Sequence, residues 1–313
     1  MRINPVYTTY QHRKPSFKNN HSAEFSSQTR AGILNHETYF FREAETDRYI
    51  QDYIRENFCK NKSITIVSAA CSSGEEARSY AMMLDDLSPR LKIYGFDIDQ
   101  NSINAAKKAS YMVLGNEVDI FSSQDDMFGY LEKCKDKFHK YFIPTGKIEL
   151  PEENAFLKRL KIFNIRYYRN AIREATRTEY KLKSGALKNC SFFKGDIQNL
   201  ESYFNKDDID VLLFRNAWYH LLCDNERNKA PDRYETAQKI IKMMHKTLKP
   251  QGLVVFGELE KGQGTDVNML SDLMLENGFK PVIINPELTS KLLLMSGRDD
   301  NMWKTSHIWQ KVK

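Results

Sequence analysis

Residues 64–76 read Ile-Thr-Ile-Val-Ser-Ala-Ala-Cys-Ser-Ser-Gly-Glu-Glu and contain the main indication of the fold. The first four residues form a β-branched run bounded by polar residues, which is typical of a buried strand. Small residues follow, and Gly74 permits a tight turn into a helix that we expect to continue to about Leu87. A strand, a small-residue turn and a helix in this order predict one unit of an open α/β sheet, in which ligands bind at the carboxyl ends of the strands.

The alternation of strands and helices continues beyond this unit. Further strands are expected at residues 91–96, 192–193, 211–214, 253–257, 281–284 and, as an edge strand, 306–312. Helices are expected around residues 102–109, 237–248 and 269–275, and the segment 249–252 predicts a turn. The sequence therefore predicts an α/β fold with a mostly parallel, seven-stranded sheet covered by helices on both faces.

Three segments fall outside this regular pattern. Residues 1–32 are polar and rich in Ser, Asn, Thr, Lys and Gln, so we expect a disordered tail. Residues 33–60 carry apolar side chains at helical spacing, Phe40 and Phe41 among them, and predict a short N-terminal helical segment. Residues 112–189 interrupt the main domain, 61–313, and predict an insertion between the second and third strands.

The net charge of +6 is unevenly distributed along the chain. Residues 157–188 carry ten basic and two acidic side chains, with Phe163, Tyr167 and Tyr168 among them. This basic insertion predicts an anionic partner, either protein or nucleic acid, because basic residues with interleaved aromatics suit phosphate contacts and base stacking. A solvated helix face is the alternative interpretation.

The composition, 41% hydrophobic and 28% charged, is that of a globular protein. The five cysteines form no Cys-x-x-Cys pair, which argues against a disulfide framework or a zinc site and favours a reducing compartment. We find no apolar run long enough to span a bilayer and no Sec-type signal peptide. We therefore expect a cytoplasmic protein; the alternative is a secreted bacterial effector whose polar first 32 residues form a non-cleaved leader.

The turn at 68–76 does not have the composition of a phosphate loop. It contains one glycine, no Gly-Lys-Ser/Thr and two acids, so it suits a cationic ligand such as the sulfonium and amino group of S-adenosylmethionine. A capped helix start is the alternative. Asp97 follows the second strand about 20 residues after the turn, where an acid can accept hydrogen bonds from ribose hydroxyls. Asp99 could instead cap the next helix.

Five segments, in this order, resemble motifs of the chemotaxis receptor carboxyl-methyltransferases, the CheR family. Thr38-Tyr-Phe-Phe-Arg-Glu43 resembles the T-x-F-F-R-E helix of the family, Ser68–Glu76 its S-A-x-C-S-x-G-E-E loop, and Phe96–Asp99 its second-strand motif. Asp210–Asn216 is similar to its D-x-I-x-x-R-N strand, and Leu248–Gly252 to its L-K-P-G-G turn. The resemblance covers residues 33–115 and 190–260 and implies a Rossmann-like class I methyltransferase that uses S-adenosylmethionine.

The resemblance also implies roles for individual residues. The expected cofactor contacts, from the N-terminal helix to the fourth strand, are Thr38, Arg42, Ala70, Gly74, Glu75, Asp97, Asp196, Ile197, Arg215 and Asn216. Glu75 would hold the amino end of the cofactor, and Asp97 its ribose. Asp196 and Ile197 would contact the adenine. Arg215 and Asn216 would line the floor beside the methyl group, and the expected catalytic residues are Arg42, Asn216 and His220.

The reaction implied by the resemblance is in-line transfer of a methyl group to the carboxylate of a protein glutamate. A carboxylate is already ionised at neutral pH, so this acceptor requires no general base. The protein has to align the two reactants and exclude water. An arginine near the acceptor, such as Arg42, would help to position the glutamate side chain.

The sequence departs from the family pattern at several positions. Ala70 replaces a glycine, and His36 stands where asparagine is usual. His220 stands where the family has an active-site tyrosine, with Tyr219 just before it. His220 could act as a base for a hydroxyl, amine or imidazole acceptor, or it could be an ordinary structural histidine. We expect the family's N-terminal helical domain to be abbreviated or missing here, and the insertion is longer and basic, so chemotaxis receptors are a doubtful substrate.

Two other functions fit parts of the sequence. The first is a nucleic-acid or small-molecule methyltransferase whose basic insertion holds an anionic substrate. Against a base-methylating enzyme, Arg215-Asn-Ala-Trp218 differs from the Asn/Asp-Pro-Pro-aromatic loop, and no Pro-Cys pair is present. The second is a non-catalytic interaction module. The retained Arg42, Glu75 and Asp97 argue against it, because an inactive site has no reason to keep buried charges.

Overall fold

A computed structural model describes residues 38, 40–41, 43–114, 130–149, 176–223, 229–257, 267–284 and 307–312. The predicted tail, Arg42, His36 and most of the basic segment lie outside the described residues. Strands β1 to β10 are Ile64–Ala69, Leu91–Asp97, Ser110–Leu114, Phe142–Glu149, Thr176–Leu182, Cys190–Lys194, Ile209–Phe214, Leu248–Phe256, Phe279–Val282 and Ile308–Lys311. Helices α1 to α7 are Ala44–Phe58, Glu75–Met83, Gln100–Lys108, Tyr130–Tyr141, Trp218–Leu222, Arg233–Thr247 and Val267–Glu276.

The large sheet has seven strands in the order β6-β2-β1-β7-β8-β10-β9. Strands β6, β2, β1, β7 and β8 run parallel, and β10 runs antiparallel to both of its neighbours. Along the chain, β2 and β6 are placed on one side of β1, and β7 is then placed on the other side. The carboxyl ends of β1 and β7 therefore form the switch point at which open α/β sheets bind ligands.

The sheet is covered on both faces, as the sequence predicts. Alternate residues of β1 point to opposite faces, so Val67 joins one buried cluster while Ile64 and Ile66 join the other. The first cluster contains the fully buried Trp218. Since every residue of β1 and β7 is buried, a continuous β-branched run marks a central strand here.

The last strand is not at the edge of the sheet, so the prediction for residues 306–312 was wrong in this respect. β10 pairs with β8 on one side and β9 on the other. Ile308 and Trp309 are both buried, on opposite faces, as expected for an interior position. The error arose because the hydrophobic pattern of a segment predicts that it is a strand, but does not predict which strands lie next to it in the sheet.

Several boundaries also differ from the predictions. α1 begins at Ala44, and Phe40 and Phe41 precede it in a turn in which Phe41 has a φ of 51°. Phe40 packs edge-on against three rings, those of Tyr111, Phe138 and Phe142, which explains its apolar spacing without a helix. The predicted turn at 249–252 lies inside β8, with a left-handed Gln251, and β9 lies two residues before its predicted start.

The insertion contains a second sheet, of order β3-β5-β4, and α4. α4 is held to the main domain through Asp85, whose carboxylate accepts hydrogen bonds from Lys137, from Lys140 Nζ at 2.6 Å and from Tyr141 Oη at 2.7 Å. Burial opposes the charged form, but these bonds outweigh it and hold the pKa of Asp85 well below its usual range.

We predict that Gly95→Ala destabilises the protein while Gly146→Ala does not. A Cβ at position 95 would lie 2.6 Å from the ring of Phe192 and 3.0 Å from Cys71 Sγ, whereas a Cβ at position 146 meets nothing within 4 Å. Overpacking of this kind costs about 1–3 kcal/mol. Urea unfolding of both variants measures the difference, and equal stabilities would contradict the packing described for β2.

Candidate active site

The segment after β1 coils in a left-handed turn. Ala70, Ser72 and Gly74 have φ values of 57°, 48° and 86°. Ala70 and Ser72 are strained in this conformation, because a left-handed backbone costs about 1–2 kcal/mol for each residue that is not glycine. Two contacts fix the turn: the Ser72 amide donates to Asp97 Oδ2 at 2.8 Å, and the Cys71 amide donates to the Phe96 carbonyl at 3.0 Å. Strain held in this way is typical of functional sites.

Asp97 lies at the carboxyl end of β2 and is 7% exposed. Its second oxygen accepts a hydrogen bond from the Asp99 amide at 2.9 Å. An ionised carboxylate can accept about four hydrogen bonds, and the ribose contact of Asp97 stays a prediction. The alternative offered for Asp99 is confirmed, since its side chain accepts from the Asn101 and Ser102 amides and caps α3.

Asn216 follows β7 at the switch point and has a φ of 55°. Its side chain lies against Gly257, at the end of β8. Both amide atoms are buried, and among the described residues neither has a hydrogen-bond partner. A buried polar group left unsatisfied costs about 1–3 kcal/mol. The amide is therefore suited to a ligand that offers both a donor and an acceptor, and it fits the predicted cofactor.

Arg215 is the centre of a buried group of charges. Its side chain is 1% exposed and its Nη2 lies 2.6 Å from Asp47 Oδ1. Nε lies 3.2 Å from Glu76 Oε1, and Nη1 lies 3.6 Å from Glu43 Oε2. Tyr80 Oη accepts from Nη2 at 2.8 Å and donates to Asp47 at 2.7 Å. The guanidinium thus binds carboxylates of the protein, and its contact with the cofactor stays a prediction.

This arrangement shifts the pKa values of Arg215 and Tyr80. Burial opposes the charge of Arg215, but Asp47, Tyr80, Glu76 and Glu43 together outweigh burial and raise its pKa well above the usual value. Burial and the adjacent Asp47 raise the pKa of Tyr80 well above its usual value. At neutral pH the guanidinium is therefore charged and the phenol is neutral.

The sequence interpretation missed Asp47, Glu76 and Tyr80. A signal for Asp47 was present, because it lies three and seven residues before Ile50 and Ile54, on the same face of α1. An acid on a core-facing stripe needs a buried partner. The partner itself, Arg215, could not be identified from spacing, since it lies 168 residues further along the chain.

The remaining predicted residues occupy varied positions. Glu75 is half-buried and accepts from Ser73 Oγ at 2.8 and 2.9 Å. Asp196 caps a 3-10 turn by accepting from the Gln198 amide at 2.9 Å, and Ile197 is buried in the core.

Thr38 is half-buried. His220, on α5, is half-buried beside Tyr219. Their functional roles stay predictions.

Two of the motif residues lie at the opposite edge of the sheet. Asp210, at the start of β7, is fully buried and accepts from the Thr65 amide at 2.7 Å. It also pairs with Lys249 Nζ at 2.6 Å. Asp210 and Lys249 therefore join the amino ends of β1, β7 and β8 and are not part of the site.

The seven strands, with an antiparallel β10 and a switch point between β1 and β7, form the Rossmann-like α/β sheet that the sequence predicts. Residues 36–120 match the family model described as CheR methyltransferase, SAM binding domain. The match confirms the resemblance to this family and S-adenosylmethionine as the cofactor. It includes the turn, Asp97 and the three carboxylates around Arg215.

The chain is also similar to a chemotaxis protein methyltransferase of Campylobacter jejuni subsp. jejuni serotype O:23/36 (strain 81-176). The two are 34% identical over 142 residues, which is 44% of this chain and 52% of the relative. The chain thus spans about half the length of the curated relative that it matches.

The chain also has a distant similarity to several solved structures. A DszA carbon methyltransferase is 10% identical with a TM-score of 0.41, covering 86% of this chain and 54% of its own. Monomeric WbdD is 8% identical with a TM-score of 0.41, covering 87% and 41%. In the described part of the chain, no helix has the length and apolarity to cross a bilayer, and no group of His, Cys, Asp and Glu could hold a metal ion.

We predict that Arg215→Gln is destabilised by about 3–5 kcal/mol at neutral pH, because it leaves buried carboxylates without their cation. Urea unfolding at pH 7 measures this. Arg55→Gln, at a half-exposed ion pair with Asp86, is the control and should cost less than about 1 kcal/mol.

Proposed function

We propose that this chain is an S-adenosylmethionine-dependent methyltransferase that methylates the carboxylate of a protein glutamate. The observation that carries the proposal is the convergence of three features at the carboxyl ends of adjacent strands. These are the left-handed turn after β1, the Asp97 carboxylate after β2 and the unsatisfied Asn216 amide after β7. Two of the three lie within the segment that matches the S-adenosylmethionine-binding family model.

The residues at this edge fit the cofactor. When bound, S-adenosylmethionine supplies a methyl group on a positively charged sulfur. The small side chain of Ala70 leaves the backbone of the turn open to close approach, and Glu75 would take the amino group. Gly74 permits the left-handed turn and lets the ring of Phe192 pack against the backbone. Asp97 would take the ribose, and Asp196 with Ile197 the adenine. Asn216 would satisfy its amide on the cofactor or on the acceptor.

The glutamate acceptor follows from the family resemblance and from the chemistry of the site. A glutamate carboxylate arrives ionised, so the protein has only to orient it and exclude water. Arg42 is the proposed positioning residue for the acceptor. His220 supports a second possibility, an acceptor that must lose a proton, because it occupies the position of the family's tyrosine.

The partner and location are further parts of the proposal. The basic segment 157–188 would dock the protein substrate, and the alternative, a nucleic acid, is an outcome of the second experiment below. All five cysteines of the chain are free thiols. This agrees with a reducing environment and supports the proposed cytoplasmic location.

We predict that S-adenosylmethionine binds to the wild type and that Asp97→Asn weakens binding at least tenfold. Loss of a charged hydrogen-bond acceptor is worth about 1.5–3 kcal/mol, or about one to two powers of ten in affinity. Isothermal titration calorimetry measures both. Asp272→Asn makes the same chemical change at an exposed position of α7 and should bind like the wild type. Failure of folded wild type to bind would refute the proposed function.

We predict that the methyl group transferred by this protein is base-labile. Methyl esters of carboxylates hydrolyse to volatile methanol in mild alkali, whereas methyl groups on nitrogen or carbon do not. The test uses methyl-tritiated S-adenosylmethionine and a total bacterial protein extract, with one aliquot treated with nuclease and another with protease. Base-stable label would exclude a carboxylate acceptor and favour a role for His220. Label that is lost on nuclease treatment would identify a nucleic-acid substrate.

A further inference from the structure

Glu76 holds a position at the site that no predicted role explains. It lies in the first turn of α2, directly after the left-handed turn, and its side chain is 10% exposed. One carboxylate oxygen accepts from Ser68 Oγ at 2.5 Å, and the other lies 3.2 Å from Arg215 Nε. Ser68 precedes Ala70 at the end of β1, and Arg215 precedes Asn216. Glu76 is thus fixed between the two segments that form the floor of the proposed cofactor site.

Among the described residues, the charges paired with Arg215 do not balance. Asp47 makes the shortest ion pair with Arg215, at 2.6 Å, and already matches its charge. Glu76 adds a second carboxylate, so that these three side chains together carry a net negative charge. In a buried environment the effective dielectric is low, and an excess charge acts strongly on any ion that binds close by.

The helix that carries Glu76 strengthens this argument. The amino end of an α-helix has a partial positive charge and by itself favours anions. α2 starts at the ligand edge with two acids, Glu75 and Glu76, in its first turn. These carboxylates counteract the helix dipole where a cation has to bind. The arrangement thus reverses the usual preference of a helix amino end.

We infer that Glu76 is a specificity-determining residue, which makes the site favour the sulfonium of S-adenosylmethionine over the neutral thioether of S-adenosylhomocysteine. This inference rests on the proposed function. In the transfer, the acceptor oxygen forms a bond to the methyl carbon and the carbon–sulfur bonding pair stays on sulfur, which loses its positive charge. The attraction of Glu76 is therefore present for the reactant and absent for the product, and it assists product release.

The test is calorimetric titration of both ligands into wild type, Glu76→Gln and Glu76→Asp. Glu76→Gln should raise the Kd for S-adenosylmethionine about tenfold, and that for S-adenosylhomocysteine less than about threefold, because only the first ligand interacts through its sulfur charge. Glutamine has nearly the same shape and can keep the hydrogen bond to Ser68. Glu76→Asp keeps the charge and should keep the wild-type ratio of the two Kd values, even if both ligands bind more weakly.

Glu45→Gln is the matched control, because it makes the same change at an exposed position of α1, two residues before Asp47. It should leave the ratio of the two Kd values unchanged. If Glu76→Gln weakens both ligands equally, Glu76 acts through packing and the inference is wrong, while the proposed function stands. If the folded wild type binds neither ligand, the proposed function itself fails. Urea unfolding of each variant establishes that it is folded.

Discussion

The guanidinium of Arg215 must be neutralised inside the protein, and much of the structure around the site follows from that requirement. Its charge is met by Asp47 from α1, Glu76 from α2 and Glu43 from the segment before α1, with Tyr80 completing the hydrogen bonds. These groups come from separate parts of the chain and meet only when the sheet has its native strand order. A single buried cation thus ties the N-terminal segment to the switch point, where the ligand-binding turn and Asn216 also lie.

The second constraint is local. The turn after β1 needs left-handed residues at two positions that are not glycine, and such a conformation persists only if its surroundings enforce it. Asp97 does this through the Ser72 amide, so the same carboxylate that is proposed to bind ribose also shapes the backbone beside it. The conformation of the turn and the affinity for the ligand are consequently coupled. A substitution of Asp97 alters both, so the stability of such a variant must be measured alongside its affinity for the cofactor.

Much of this could be predicted from the sequence because the relevant signals are local. The β-branched run at 64–67 and the small-residue turn after it gave the class of fold, and the motifs identified the turn, Asp97 and Asn216 as candidates. The position of β10 could not be predicted, since interior and edge strands of this length have similar patterns. The partners of Arg215 could not be predicted either, because the spacing of residues along the chain does not show which distant segments form ion pairs. The spacing of Phe40 and Phe41 predicts a helix because it continues the pattern of α1, whereas the apolar character of Phe40 is explained by its packing against aromatic rings.

The placement of β10 also has a consequence for the way in which the chain assembles. β9 has one neighbour in the sheet, β10, so Phe279–Val282 has nothing to pair with until Ile308–Lys311 has been synthesised and has docked on β8. β10 lies between β8 and β9, and His307, which directly precedes it, contacts Thr46 at 2.8 Å, 261 residues earlier in the chain. Closure of this sheet therefore depends on contacts between segments that are distant in sequence, which are the contacts with the highest cost in loop-closure entropy.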